Sequence, residues 1–159
     1  DLAHFLSNQG YDVLGIDIVP EAIVLAKKKY GQQHASSTPG QLNFQVHDVL
    51  SLASLGKKFG TVCDSGVLHA FGDDDQKHYL NGVATVLKAG GRFHAIGFRD
   101  TGEDYTGGPR RLRESEIRSL FRDLSLNITS LDHCTFKTQQ NEHPAWYISA
   151  IAEGFITQQ

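Results

Sequence analysis

The sequence predicts an α/β fold, a three-layer α/β/α sandwich around a mostly parallel sheet that closes with a C-terminal antiparallel hairpin. Three observations carry this. Apolar runs such as Val13, Leu14, Ile16 and Ile18, too continuous for a strand with one wet face, alternate with helical patterns, as expected of strands covered by helices on both sides. Acidic residues stand at the ends of such runs, at Asp17, Asp48 and Asp64, where open α/β sheets place their ligands. The last two apolar runs, 127–136 and 145–153, are joined by a stretch so short that only an antiparallel pairing fits.

Taken in order, residues 1–9 carry Leu2, Phe5 and Leu6 at helical spacing, and Gly10 stands where helices commonly end. Residues 11–18 form a buried strand. Pro20 opens a second helix, where its missing N–H would lack a partner in any case, and Ile23, Ala26 and Tyr30 line one face up to Gly31. The polar stretch 34–41, with Pro39 and Gly40, reads as a surface loop. Leu42 to Val46 alternates apolar and polar residues, a strand ending at His47-Asp48. After a weakly patterned stretch, strand 61–64 is closed by Ser65-Gly66.

Asp73 with Gln76 three residues on predicts a capped helix start, and Tyr79, Leu80, Val83, Val86 and Leu87 continue at helical spacing. Lys88-Ala89-Gly90-Gly91 ends that helix, and 92–98 returns as a strand. A polar loop, 99–111, leads to a helix over about 114–123 with Ile117, Leu120 and Phe121 inward.

Composition narrows the function. A chain of 159 residues with 40% hydrophobic and 21% charged content fits one domain over 1–159 with a single core. A net charge of −3 argues against nucleic acid and anionic membranes as partners, and no apolar run approaches the roughly 18 to 20 residues of a membrane span. Cys63 and Cys134 lack C-x-x-C spacing, so two reduced thiols in a cytoplasmic protein are expected. The eight histidines form no ligand spacing, and no metal site is expected. Methionine is absent, the initiator included. Together with the lack of a first strand and glycine-rich turn before Asp17, this leads us to expect a truncated domain whose N-terminus lies upstream of Asp1.

Each candidate residue carries two readings. Asp17 can accept both hydroxyl protons of a ribose diol, or it caps the helix at Pro20. Ile18 lies against an adenine face or fills core. Asp48 accepts from an adenine amine, with the Val49 N–H reaching a ring nitrogen, or it is a solvated turn acid. His69 acts as a base toward a weakly acidic acceptor or is a structural hydrogen-bonding histidine. Arg110, with Arg111 and Arg113, steers an anionic substrate or belongs to a solvated loop with local charge pairs.

The run Cys63-Asp64-Ser65-Gly66-Val67-Leu68-His69-Ala70-Phe71 resembles the segment after the fourth strand of class I S-adenosylmethionine-dependent methyltransferases. The resemblance extends through Val13-Leu14-Gly15-Ile16-Asp17, Ala22-Ile23, Leu87-Lys88-Ala89-Gly90-Gly91-Arg92 and the closing hairpin. Gly107-Gly108-Pro109-Arg110-Arg111 with Glu116-Ile117 looks like the small-molecule branch, near the thiopurine, thiol and halide methyltransferases.

The resemblance implies a Rossmann-like fold, S-adenosyl-L-methionine as cofactor and a small-molecule acceptor, with a thiol or other soft nucleophile favoured. It implies that Asp17 holds the ribose, that Ile18 and Val49 flank adenine, and that Asp48 contacts its amine. The backbone at Asp64, Ser65 and Gly66 would border the methionine moiety, and His69 and Phe71 would sit beside the methyl group. It also implies a first strand between those ending at Asp17 and Asp64. Without it, the flanking strands close on each other, a homodimer supplies the pairing, or upstream residues exist. Two alternatives stand beside this reading: an NAD-type oxidoreductase, which also needs Asp17, and a non-catalytic methyltransferase-like binding or dimerisation module.

Overall fold

A computed structural model describes residues 2–30, 40–102 and 108–153, so the predicted loop 34–41 falls mostly outside the described residues, as does Gly107. The chain divides into two compact units, Asp1–Ser51 and Leu52–Gln159.

The first unit contains α1 (Leu2–Asn8), β1 (Val13–Asp17), α2 (Pro20–Tyr30) and β2 (Leu42–Val46). β1 and β2 pair in parallel from Val13 opposite Leu42 to Asp17 opposite Val46. α1 ends as predicted, with Gly10 at a φ of 89°, a left-handed conformation that a glycine adopts without strain. The C=O of Ser7 accepts the N–H of Gly10 at 3.0 Å and of Gly40 at 2.9 Å, which joins the end of α1 to the entry of β2. A glycine is required at position 15, because a Cβ there would lie 2.7 Å from the Phe44 ring on the neighbouring strand. α2 starts at Pro20 and carries Glu21 in its first turn and Lys27, Lys28 and Lys29 in its last, a distribution that opposes the helix dipole at both ends.

The second unit contains β3 (Phe59–Ser65), α3 (Asp73–Val86), β4 (Leu87–Phe98), α4 (Glu114–Phe121), β5 (Leu126–Lys137) and β6 (Glu142–Ala152). Its sheet runs in the order β3-β4-β6-β5. β3 and β4 are parallel, and the predicted hairpin of β5 and β6 is antiparallel. Leu80, Val83, Phe93 and Ile148 have no accessible surface, and Ile117 and Leu126 almost none. They form the core where α3 meets β4 and α4 meets β5.

Two local expectations are corrected. β4 begins at Leu87, directly after α3, because Gly90 at a φ of 71° and a register shift between Phe59 and Thr61 let the chain turn without leaving the sheet. The Asp73–Gln76 capping box does not form. Gly72 is the N-cap, Asp73 pairs with Arg110, and the buried Gln76 side chain donates instead to the Leu68 C=O at 2.9 Å. The strand edges are also defined. Among the described strands, β1 has β2 as its one hydrogen-bonded neighbour in the first unit, and β3 has β4 as its one neighbour in the second.

Candidate functional site

The first unit places Asp17 and Asp48 on adjoining strand ends. Asp17 is the last residue of β1, and its C=O accepts the His47 N–H at 2.9 Å, one residue before Asp48. Parallel pairing therefore brings two acids that are 31 positions apart in sequence to the same end of one small sheet. Asp17 precedes Val19 and does not cap α2, whereas Asp48 stands at the N-terminal end of a 3₁₀ stretch and caps it. Asp17 Oδ1 accepts the Val19 N–H at 2.9 Å, a turn that fixes the carboxylate and leaves Oδ2 without a partner among the described residues. Asp48 repeats the geometry, Oδ1 accepting the Leu50 N–H at 2.9 Å. Ile18 is 62% exposed and so is not core filling. Val49 is half-buried at the start of the 3₁₀ stretch Val49–Leu55.

Asp64 lies in the second unit and has the opposite environment. It is buried near the end of β3, with Oδ1 accepting the Val67 N–H at 2.7 Å and Oδ2 accepting the Leu68 N–H at 3.0 Å and the Tyr79 hydroxyl at 3.1 Å. Burial pushes its pKa up to about 6, against the pull of those donors, and the same burial together with the neighbouring Asp64 charge pushes Tyr79 well above the ordinary phenol range. The carboxylate thus organises its own turn, and the turn presents backbone to whatever lies beside it. Ser65 is exposed. Gly66 has a φ of 86°, and a Cβ on it would lie 3.2 Å from both His69 Nε2 and the Phe136 ring. Only glycine meets both demands at once.

His69 is buried, and its Nδ1 accepts the Phe98 N–H at 2.7 Å. With that lone pair occupied, the neutral ring carries its hydrogen on Nε2 and is a donor there. Burial lowers its pKa below the ordinary imidazole range, which further favours the neutral form. The His69 C=O accepts the Arg110 N–H at 3.1 Å, so one residue joins the turn after β3, the end of β4 and the segment leading to α4. Phe71 packs on Tyr79, ring centroids 5.7 Å apart. Arg110 is paired with Asp73 and, at 3.1 Å, with Glu116. These are the local charge pairs of the second reading given to it above.

The residues that sequence reasoning missed are those whose role depends on distant contacts. Tyr79 reads as core by periodicity, and its hydroxyl is visible as functional only once Asp64 is known to face it. Phe98, Phe136 and His143 lie on three strands and meet as an aromatic cluster, Phe98 being 5.3 Å from Phe136 and 4.6 Å from His143 by ring centroids. Among the described residues no three His, Cys, Asp or Glu side chains are arranged to hold a metal ion, and no helix is long and apolar enough to cross a membrane.

Known proteins resemble this chain in sequence and in fold. The profile of a methyltransferase domain family matches residues 1–91. The chain is 24% identical over 119 residues to the 2-heptyl-1-hydroxyquinolin-4(1H)-one methyltransferase of Mycobacteroides abscessus, a match covering 74% of this chain and 51% of that protein. It thus spans about half the length of that curated relative. Among solved structures, an S-adenosylmethionine-dependent methyltransferase from Methanosarcina mazei aligns with a TM-score of 0.78 at 21% identity, over 94% of this chain and 85% of that one. The 1,6-didemethyltoxoflavin-N1-methyltransferase of Burkholderia thailandensis, with bound 1,6-didemethyltoxoflavin and S-adenosylhomocysteine, aligns with a TM-score of 0.70 at 22% identity, over 96% and 66%. The fold is the Rossmann-like α/β fold of these enzymes.

Proposed function

The chain belongs to the methyltransferase domain family, and from that premise we propose that it is an S-adenosylmethionine-dependent methyltransferase acting on a small molecule. The observation that carries this reading is Asp17: an exposed carboxylate at the end of β1, oriented by the Val19 N–H through one oxygen and open at the other. A carboxylate so placed suits a ribose diol, because charge-assisted hydrogen bonds to it are short and strong. Asp48 and the Val49 N–H are assigned to the adenine edge, and Ile18, whose side chain is largely exposed, to its face. In the second unit, the backbone of Asp64, Ser65 and Gly66 is assigned to the methionine portion, since the Asp64 carboxylate is already saturated.

When bound, S-adenosylmethionine supplies an activated methyl group on a sulfonium. The protein's task is then alignment and exclusion of water, which can contribute roughly 7 to 11 kcal/mol. Neither His69 nor Asp64 is arranged as a strong base: the His69 lone pair is occupied and Asp64 is enclosed by donors. This supports a soft nucleophile, a thiol among them, that needs no deprotonation by a side chain. His69 and Phe71 serve as walls beside the methyl group. Two free thiols, Cys63 and Cys134, support placing the protein in the cytoplasm.

Calorimetric titration with S-adenosylhomocysteine tests the reading. Binding by the wild type, weakened by tenfold or more (about 1.4 kcal/mol) in Asp17→Ala, is expected. Equal affinity in the variant removes Asp17 from the site, and no binding by the wild type overturns the proposal. Sedimentation of the same samples tests a homodimer, in which a second copy would pair with an open edge of β1 or β3. The antiparallel β5–β6 hairpin disfavours the oxidoreductase alternative.

A further inference from the structure

A groove of about 510 Å³ lies entirely within the second unit, between Phe98 at the end of β4, Pro109, and the tip of the β5–β6 hairpin with His143 behind it. Its volume falls within the range of small-ligand sites, roughly 300 to 1,000 Å³. Its base is aromatic. The Phe98 ring is tilted 37° from the His143 ring at 4.6 Å, is met edge-on by Phe136 at 5.3 Å, and packs on the buried His69 ring at 4.5 Å with a tilt of 57°. The rings are therefore held in place before any ligand arrives. The tip is closed by its own hydrogen bonds: Thr138 N–H donates to the Asn141 C=O at 2.8 Å, and Asn141 N–H donates to Thr138 Oγ1 at 2.9 Å.

The rim is polar. Gln139 and Gln140 are exposed and offer side-chain amides, and among the described residues that line the groove none carries a carboxylate, ammonium or guanidinium. The nearest ions flanking the tip, Lys137 and Glu142, neutralise each other at 2.7 Å. A charged ligand would lose hydration here and gain no opposite charge. A flat ring system would gain offset or edge-on contact with the half-buried His143 ring, which the buried Phe98 backs.

We infer that this groove is the acceptor site and that it takes an uncharged, planar aromatic molecule of about two fused rings bearing hydrogen-bonding substituents. That the ligand is the methyl acceptor rests on the methyltransferase reading above; that the groove binds it does not.

The test is titration of the isotope-labelled full chain, followed by amide NMR, with three molecules of one skeleton: 2-naphthol, its saturated counterpart 2-decalol, and the anion 2-naphthoate. Expected is binding of 2-naphthol at least tenfold tighter than either other molecule, with shifts centred on Phe98, His143 and residues 138–141. His143→Ala, at a half-buried position, should weaken it fivefold or more, and Phe98→Leu, which keeps apolar volume and removes the ring, should do the same if it folds. Equal affinity for 2-decalol overturns the planar requirement, and preference for 2-naphthoate overturns the uncharged one. Shifts elsewhere, or binding unchanged in His143→Ala, overturn the location. S-adenosylhomocysteine binding to the wild type separates the two proposals. If it is intact while 2-naphthol fails, the groove is refuted; if it is lost while 2-naphthol binds there, the methyltransferase reading is.

Discussion

Asp17 in the first unit and Asp64 in the second occupy equivalent places in sequence, each an acid at the carboxyl end of a predicted inner strand, yet the two units use them in opposite ways. Asp17 is exposed and has one oxygen engaged. Asp64 is buried and accepts three hydrogen bonds from its own turn and from α3. The units differ likewise in packing. Ile23 is the one fully buried apolar side chain in the first unit among the described residues, whereas Phe5, Tyr11, Ile18, Val24 and Leu25 are each more than half exposed. The second unit holds the rest of the buried apolar core. A carboxylate kept in water can exchange its solvent partners for a ligand's hydroxyls at little cost. One enclosed by donors holds the scaffold and offers only the backbone it has shaped.

The largest effect should come from removing the buried acid. Asp64→Ala leaves the Val67 and Leu68 N–H groups and the Tyr79 hydroxyl without their acceptor, each worth roughly 1 to 3 kcal/mol, partly offset by relief from burying a charge. A net loss of about 3 kcal/mol in urea unfolding at neutral pH is expected, against a change within about 0.5 kcal/mol for the exposed Asp17→Ala. Equal losses at the two positions would break the contrast.

The pH dependence sharpens it. Burial raises the Asp64 pKa from 3.8 to about 6 in the folded chain. The folded state therefore favours the protonated form: the stabilising contribution is complete below pH 3.8, and is lost as pH rises through about 6. At 1.36 kcal/mol per pKa unit this amounts to about 2 to 3 kcal/mol. His69 has the opposite sign, its lowered pKa making a contribution that is present above the usual imidazole range and lost on acidification. The difference in unfolding free energy between wild type and Asp64→Asn isolates the carboxylate. That difference should shift against the wild type from pH 4 to 7, and a flat profile would mean that Asp64 is solvated.

Much of this was legible in the chain. The helix of Tyr79, Leu80, Val83 and Val86 announces itself by period, and the hairpin by two long apolar runs and a short connection, because both signals are local. The position of Asp17 at a strand end was legible for the same reason. The difference between Asp17 and Asp64 was not, since burial depends on what packs over a residue from elsewhere, here Tyr79, fifteen positions along in α3. The Asp73–Gln76 pair shows the same limit. The capping spacing is present, but Arg110 and the Leu68 carbonyl, brought in by tertiary structure, take the two side chains for other uses. The aromatic base of the groove combines residues from β4, β5 and β6, with no spacing to connect them.

The smallest effect concerns Arg110, which joins a segment next to the groove to both α3 and α4. Its guanidinium is one-third exposed and faces Asp73 and Glu116, two carboxylates against one cation. A cation so surrounded projects little positive potential, so its pairs should act as a clasp and not as a lure for anions. Exposed pairs of this kind contribute roughly 0 to 1 kcal/mol, and Arg110→Ala should lower stability by no more than that. Because Pro109 lines the groove, loosening its neighbour should raise the Michaelis constant for the acceptor a few fold while leaving cofactor affinity intact. The rise should be the same at low and high salt, since an uncharged acceptor is not steered by Coulomb forces. A wild-type Michaelis constant that climbs steeply with salt, flattened in Arg110→Ala, would instead make Arg110 a recruiter of anions, and would count against the uncharged acceptor as well.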